Sequence, residues 1–309
     1  MSCVPPRPYE SDGRAVGVIG LGKMGSQIAG HLMAAGMPVW GHDLRVEAMT
    51  DLASRGGAVA TSPAALAASV DVIITSLPSW GALAAVIEGS DGILAGARSG
   101  VTVIETSTLT SAMKRQFRDE LEARGMVMLD CPLSGTAAQM AERDVAVYAS
   151  GDPDALRAQL PLLAAFTRAQ YDVGRFGNGS DLKLLSNLLV TVHNVAAAEA
   201  LVLAERAGLD LTQVLAALTG GAATSRMLEL RGPMMVNKDY SQVSASLEEF
   251  MKDIALIRSF AADNNSPLPL FEVCARLYDD AINTGLGAAD HAVVAQVIAT
   301  LEPVMRGGT

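Results

Sequence analysis

Through the first half of the chain, apolar residues gather in short, nearly unbroken blocks: AVGVI at 15–19, PVWGH at 38–42, DVIITSL at 71–77, VTVIET at 101–106, MVMLD at 126–130 and DVAVYAS at 144–150. Blocks of this kind, rich in Val and Ile, predict strands covered on both faces, as in a parallel sheet. Between them the apolar spacing changes to the helical period at 23–35, 46–55, 79–88, 110–124 and 153–167. Strand and helix therefore alternate from Ala15 to about Tyr171. Beyond Gly179 no strand is predicted. Long helical patterns follow at 181–207, 243–263, 270–283 and 290–303, with shorter ones between. The stretch GRFGNGSD at 174–181 is the natural joint. The pattern predicts an α/β chain: an N-terminal Rossmann-type doubly wound parallel sheet followed by an all-α C-terminal domain. The expected boundaries are a flexible tail at 1–13, a sheet domain at 14–175 and a helical domain at 176–309, with a long interdomain helix from about 181.

Composition agrees and removes some functions. With 309 residues, 50% apolar and 18% charged, the chain can bury a large core as one big domain or two ordinary ones. Its net charge of −10 disfavours nucleic acid and anionic membrane surfaces, whose phosphates need an excess of cations. Cys3, Cys131 and Cys274 are far apart and odd in number, which favours a reduced, cytoplasmic setting. The scattered His31, His42, His193 and His291 have no metal-site spacing. The polar start MSCVPPRPYESDGR does not read as a signal peptide. The apolar run Leu184 to Ala198 is short for a membrane span and carries Ser186, Asn187, Thr191, His193 and Asn194, so a buried helix is expected.

The first strand runs into Gly20-Leu21-Gly22-Lys23-Met24-Gly25 and then a helix. Glycines there allow a tight turn, close approach of a pyrophosphate to the helix N-terminus, and tight packing of helix on sheet. A ligand-free glycine turn is the plainer alternative. Asp43 ends the second strand, 18 residues after Gly25, where a carboxylate accepts from ribose hydroxyls and repels a 2′-phosphate. That favours NAD over NADP, although Arg45 could turn toward a phosphate. Asp43 as the N-cap of the 46–55 helix is the competing reading.

Two stretches suit a polar substrate. Asp130-Cys131-Pro132-Leu133-Ser134-Gly135 follows a strand end, where Ser134 and the Gly135 amide could cradle a carboxylate, or merely form a proline-glycine turn. The second, GNGSDLKLLSN at 177–187, opens the long helix and sets Lys183 and Asn187 on one face. A lysine in the first turn opposes the helix dipole, so stability alone would not select it. Partial burial near that positive end would lower its pKa toward that of a working base. A lysine snorkelling to the surface is the alternative.

The ordered motifs GLGKMG, DxPxSG and GxGxxxKxxxN resemble those of the β-hydroxyacid dehydrogenase family, which includes 3-hydroxyisobutyrate dehydrogenases, tartronate semialdehyde reductases and threonate dehydrogenases. The resemblance runs from about residue 15 to 300 and takes in Leu77-Pro78, Ser107-Thr108 and Lys252-Asp253. It implies a metal-free oxidoreductase using NAD or NADP, with Lys183 as general acid/base and Asn187 holding the substrate. Ser134 and Gly135 would grip the substrate carboxylate, with Thr136 beside them. Gly20 to Gly25, Asp43, Leu77, Pro78, Thr108 and Lys252 would serve the cofactor. Family members commonly form dimers or tetramers, and the apolar surface of the 184–204 helix fits a partner subunit.

The departures surround the substrate motifs. Thr136 and Gln139 replace glycines, Ser186 replaces the first of two asparagines, and Ser111 stands where proline is common. Thr136 and Gln139 are expected to reshape substrate recognition. The alternatives are an imine reductase, disfavoured by Lys183, and a non-catalytic nucleotide sensor, which has no need of Lys183 with Asn187. A 6-phosphogluconate dehydrogenase proper would need a longer helical domain.

Overall fold

The computed structural model describes residues 13–302 apart from 97 and 244. The expected tail through residue 12, with Cys3, lies outside the described residues, as does residue 303 at the end of the last predicted helix. The chain divides into two compact units, the first ending at Leu184 and the second beginning at Leu185. That division falls inside a helix, a few residues beyond the expected joint.

The first unit alternates as its pattern predicts: β1 (Val16–Ile19), α1 (Gly25–Ala34), β2 (Val39–His42), α2 (Val46–Ser54), β3 (Ala58–Val59), α3 (Pro63–Ser69), β4 (Val72–Thr75), α4 (Trp80–Glu88), α5 (Ile93–Gly96), β5 (Thr102–Glu105), α6 (Ser111–Glu122) and β6 (Val127–Asp130). These strands form a six-stranded sheet in the order β3-β2-β1-β4-β5-β6, with every pairing parallel. Every residue of β1, β4 and β5 is buried, which is why their sequences read as continuous apolar blocks. The order reverses between β1 and β4, which opens a crevice at the strands' carboxyl ends.

After β6 come β7 (Leu133–Ser134), α7 (Ala137–Ala141), β8 (Ala146–Ala149), α8 (Pro153–Ala164) and β9 (Ala169–Asp172). The predicted strand at 144–150 exists but does not extend the parallel sheet. It joins a separate three-stranded sheet, antiparallel to β7 and parallel to β9. One bridge, Asp130 to Ser150, ties the two sheets together.

The remaining elements are helical: α9 (Asn178–Arg206), α10 (Leu211–Thr219), α11 (Arg226–Asn237), α12 (Leu247–Asp263), α13 (Pro269–Asn283), a 3-10 turn at His291–Val293 and α14 (Val294–Thr300). The helix predicted from 243 starts at Leu247, because Ser246 and Glu249 form a capping box there. By length and composition α9 could cross a membrane, yet a row of its polar residues, Ser180, Lys183, Asn187, Thr191 and Asn194, is buried in the protein.

The core of the second unit is partly polar. Arg231 and Asp290 form a buried ion pair, with Nε 3.0 Å from Oδ1. Asn194 Nδ2 donates to Tyr278 Oη at 2.7 Å and to the His291 carbonyl at 3.0 Å. The His291 ring packs on Phe250, with centroids 4.3 Å apart, and its Nδ1 has no hydrogen-bond partner among the described residues. Burial, reinforced by the Arg231 charge and opposed by Asp290, pushes the imidazole down from 6.5 to about 3. The unfolded chain therefore takes up a proton that the folded chain refuses. Stability from this site is complete above pH 6.5 and falls as pH drops below it, by about 1.4 kcal/mol per pH unit. His291→Gln should therefore lose less melting temperature than the wild type on acidification from about pH 7 to about pH 5. Parallel curves would remove this assignment.

Candidate active site

At the end of β1 two of the three motif glycines are required by the protein's own packing. Gly20 takes φ +89°, and a Cβ there would press on the Ser76 carbonyl. A Cβ on Gly25 would run into the Gly20 carbonyl. Gly22 differs: a Cβ there meets nothing within 4 Å, and its φ lies outside the left-handed region. The protein itself makes no demand for glycine at that position, whereas a bulky anion brought against the backbone does. The following helix α1 has no capping side chain at Met24 and no acid in its first turn, so its positive end suits a phosphate. Lys23 is exposed in the same turn.

Asp43 closes this corner. Its Oδ2 accepts the Leu21 N–H at 2.7 Å, and its Oδ1 accepts from Arg45 N at 2.8 Å and Arg45 Nε at 3.1 Å. Burial works to raise its pKa, yet these hydrogen bonds hold the carboxyl below its ordinary range. The N-cap of α2 is Arg45, with no side-chain cap, so Asp43 serves the glycine turn and not the helix. At the neighbouring strand ends, Leu77 N donates to Ser107 Oγ at 2.9 Å, Pro78 is exposed and Thr108 is half-buried. The glycine turn, Asp43, Leu77, Pro78 and Thr108 thus all stand at the carboxyl ends of β1, β2, β4 and β5, and they fit a dinucleotide.

In the mid-chain motif, Ser134 ends β7 and Gly135 follows with φ +147°, a conformation suited to glycine. Thr136 and Gln139 bond to each other. Thr136 Oγ1 accepts the Gln139 N–H at 3.3 Å, and Gln139 Oε1 accepts the Thr136 N–H at 3.0 Å, which caps α7. Gln139 Nε2 donates onward to Asp144 at 3.3 Å. The departure at 136 and 139 thus also forms a helix start beside Ser134 and Gly135. Cys131 is fully buried, and burial pushes its thiol up, away from reactivity.

On α9, Lys183 is 9% exposed and Asn187 5%, so the lysine does not snorkel into solvent. They stand one turn apart on one face, although Lys183 belongs to the first unit and Asn187 to the second. Asn187 Nδ2 donates to Asp253 Oδ2 on α12 at 2.8 Å. A carboxylate only accepts, so this bond settles the amide's orientation and turns Oδ1 to the other side. Lys252 precedes Asp253 on α12 and is 38% exposed. In the first turn of α9, burial raises the Asp181 carboxyl against a hydrogen bond from Ser111, which gives the departure at 111 a partner.

One set of functional neighbours escaped the sequence reading. Lys114, fully buried on α6, pairs with Glu105 Oε2 at 2.5 Å and Asp130 Oδ1 at 2.7 Å, and donates to the Ser107 carbonyl at 2.8 Å. Glu105 Oε1 in turn accepts the Ser107 N–H at 2.9 Å. Burial opposes the Lys114 charge, but the two carboxylates more than compensate and raise its pKa. The available signal was a lysine inside the apolar stripe that also contains Phe117 and Leu121.

Residues 15–174 match the family model described as the NAD binding domain of 6-phosphogluconate dehydrogenase. Residues 177–298 match the one described as NAD-binding of NADP-dependent 3-hydroxyisobutyrate dehydrogenase. The chain is 34% identical over 290 residues to an L-threonate dehydrogenase of Cupriavidus necator, spanning 94% of this chain and 97% of the relative. A solved 3-hydroxyisobutyrate dehydrogenase of Salmonella typhimurium superposes with TM-score 0.82 at 32% identity, covering 92% of this chain and 99% of that one. An imine reductase from Pseudomonas sp. shares only the fold, with TM-score 0.59 at 19% identity over 93% of this chain and 100% of that one.

Proposed function

The chain belongs to the β-hydroxyacid dehydrogenase family, and from that premise we propose that it interconverts a small 3-hydroxyacid and its oxo form with NAD(P). The observation that carries this reading is a buried Lys183 one turn before an Asn187 whose amide is locked by Asp253. A binding protein without turnover has no use for that pair. When bound, the nicotinamide would supply or accept the hydride.

The residues of the chain do the rest. Lys183 donates a proton to the substrate oxygen in reduction and removes the hydroxyl proton in oxidation. Asn187 hydrogen-bonds the same oxygen and holds it against Lys183, with the Nδ2 hydrogen that Asp253 does not take. Ser134 Oγ and the Gly135 N–H hold the carboxylate, and Thr136, which also caps α7, stands beside them at the substrate. The glycine turn, Asp43, Leu77, Pro78 and Thr108 hold the dinucleotide, while the role of Lys252 there rests on the family motif alone. Asp43, tied to the Leu21 amide, supports NAD over NADP, since a carboxylate there opposes a 2′-phosphate. Its present partner Arg45 is 59% exposed and can turn away. The test is NADH and NADPH formation across hydroxyisobutyrate, glycerate, threonate, β-hydroxyaspartate and aryl analogues. A higher kcat/KM with NADP would remove the NAD preference. Silence throughout, with NADPH consumed on cyclic imines, would overturn the reading itself.

Buried, unpaired Cys131 and Cys274 support a reducing, cytoplasmic setting. Leu189 and Leu203 stand exposed on α9, which supports a homodimer or homotetramer. Light scattering should give a mass at least twice that of the chain, lowered by Leu203→Glu; a monomeric wild type would refute this.

A further inference from the structure

We infer that Asp130 is the positioning residue of Lys183, an inference that rests on the acid/base role just proposed. Asp130 is the last residue of β6, fully buried, and each of its oxygens accepts from the first turn of α9. Oδ1 accepts Ser180 Oγ at 2.7 Å beside Lys114 Nζ at 2.7 Å. Oδ2 accepts the Ser180 N–H at 2.8 Å and Ser150 Oγ at 3.2 Å. The Ser180 amide is among the N–H groups at a helix start that have no partner within the helix. A carboxylate 50 residues away supplies it, so β6 caps α9 in the way a local Asp or Ser normally would.

Charge and shape both favour this arrangement. The buried trio of Glu105, Asp130 and Lys114 carries a net negative charge, and its Asp130 end faces the positive end of the α9 dipole. Gly179 allows the approach. A Cβ there would collide with the Tyr148 carbonyl and lie 2.8 Å from the Asp130 carbonyl, while the Gly179 N–H donates to Ser150 Oγ at 3.0 Å. Lys183 comes one turn after Ser180, so its backbone is referenced to the end of β6. The same strand end continues within five residues into Ser134 and Gly135. One carboxylate thus sets the proton-transfer group and the carboxylate cradle in a common frame. The DxPxSG and GxGxxxK motifs are two ends of this contact. Catalysis through a positioned lysine is sensitive to displacements of an ångström, whereas substrate affinity is much less so.

Asp130→Asn keeps the shape and removes the charge; Ser180→Ala removes one donor, and Ser180→Thr retains it. Active sites are counted by NADH titration and turnover is expressed per competent site. Asp130→Asn is expected to lower kcat at least about tenfold with both KM values within about twofold. Ser180→Ala should lower it less, and Ser180→Thr should recover most of that loss. A purely structural role would reduce the number of competent sites without changing kcat per site, and that result overturns the inference, as does an unchanged kcat in Asp130→Asn. If Asp130→Asn does not fold, the Ser180→Ala and Ser180→Thr pair decides: equal kcat values in both would overturn it. Lys183→Ala is measured alongside. Full activity in that variant would remove the acid/base reading and this inference with it, whereas an inactive Lys183→Ala beside a normal Asp130→Asn would remove this inference alone.

Discussion

Lys183→Ala will bind NADH as the wild type does and will turn over its hydroxyacid about a hundred to ten thousand times more slowly, the range lost when a positioned acid/base group is removed. The variant should fold. Alanine is the best helix former, and the substitution removes a charged group from a buried position in α9. Cofactor affinity should hold because the glycine turn and Asp43 lie at the ends of β1 and β2, on elements that Lys183 does not belong to. Lys183→Arg sharpens the test. Arginine stays protonated at every useful pH, so it can keep a positive charge beside the substrate but cannot accept the hydroxyl proton. It should therefore be as inactive in oxidation as the alanine variant. NADH fluorescence titration and steady-state rates check both claims. A rate within about tenfold of the wild type in Lys183→Ala would show that another group moves the proton.

The sheet domain was legible because a fully buried strand leaves an unbroken apolar block, and five such blocks became β1, β2, β4, β5 and β6. The sixth, 144–150, was found as a strand but assigned to the parallel sheet. Its antiparallel partner is the two-residue β7 inside the DxPxSG motif, too short to leave a period. β3 escaped for the same reason, with only Ala58 and Val59. α3 carried good signals, Ser62 as N-cap and Pro63 in the first turn, but its alanine-rich sequence has little amphipathic contrast. In the candidate site, Lys183, Asn187 and the glycine turn could be singled out because local spacing exposes them. The Asp130 contacts could not be. Periodicity says that Lys114 and Asp130 lie on buried faces, but which buried ions face one another is decided by how β5, β6, α6 and α9 meet. Thr136 and Gln139 carried a second signal that was passed over: their three-residue spacing is also that of a capping box.

Lys114→Met should cost the first unit about 3–5 kcal/mol, because it leaves Glu105 and Asp130 buried without their shared cation. For a unit of this size that corresponds to a fall in melting temperature of roughly 6–20 °C. Methionine retains the length and apolar stem of lysine, so a cavity contributes little and the loss is electrostatic. In the wild type Lys114 has its pKa raised, so its contribution is present at all pH values below the ordinary lysine range and does not vary near neutrality. In the variant the two carboxylates face one another without that cation. Adding Glu105→Gln to Lys114→Met removes one of the stranded charges and should recover part of the loss, a coupling that a double-mutant cycle measures directly. A double variant whose losses simply add would mean that packing around Lys114 and not the ion cluster holds β5, β6 and α6 together.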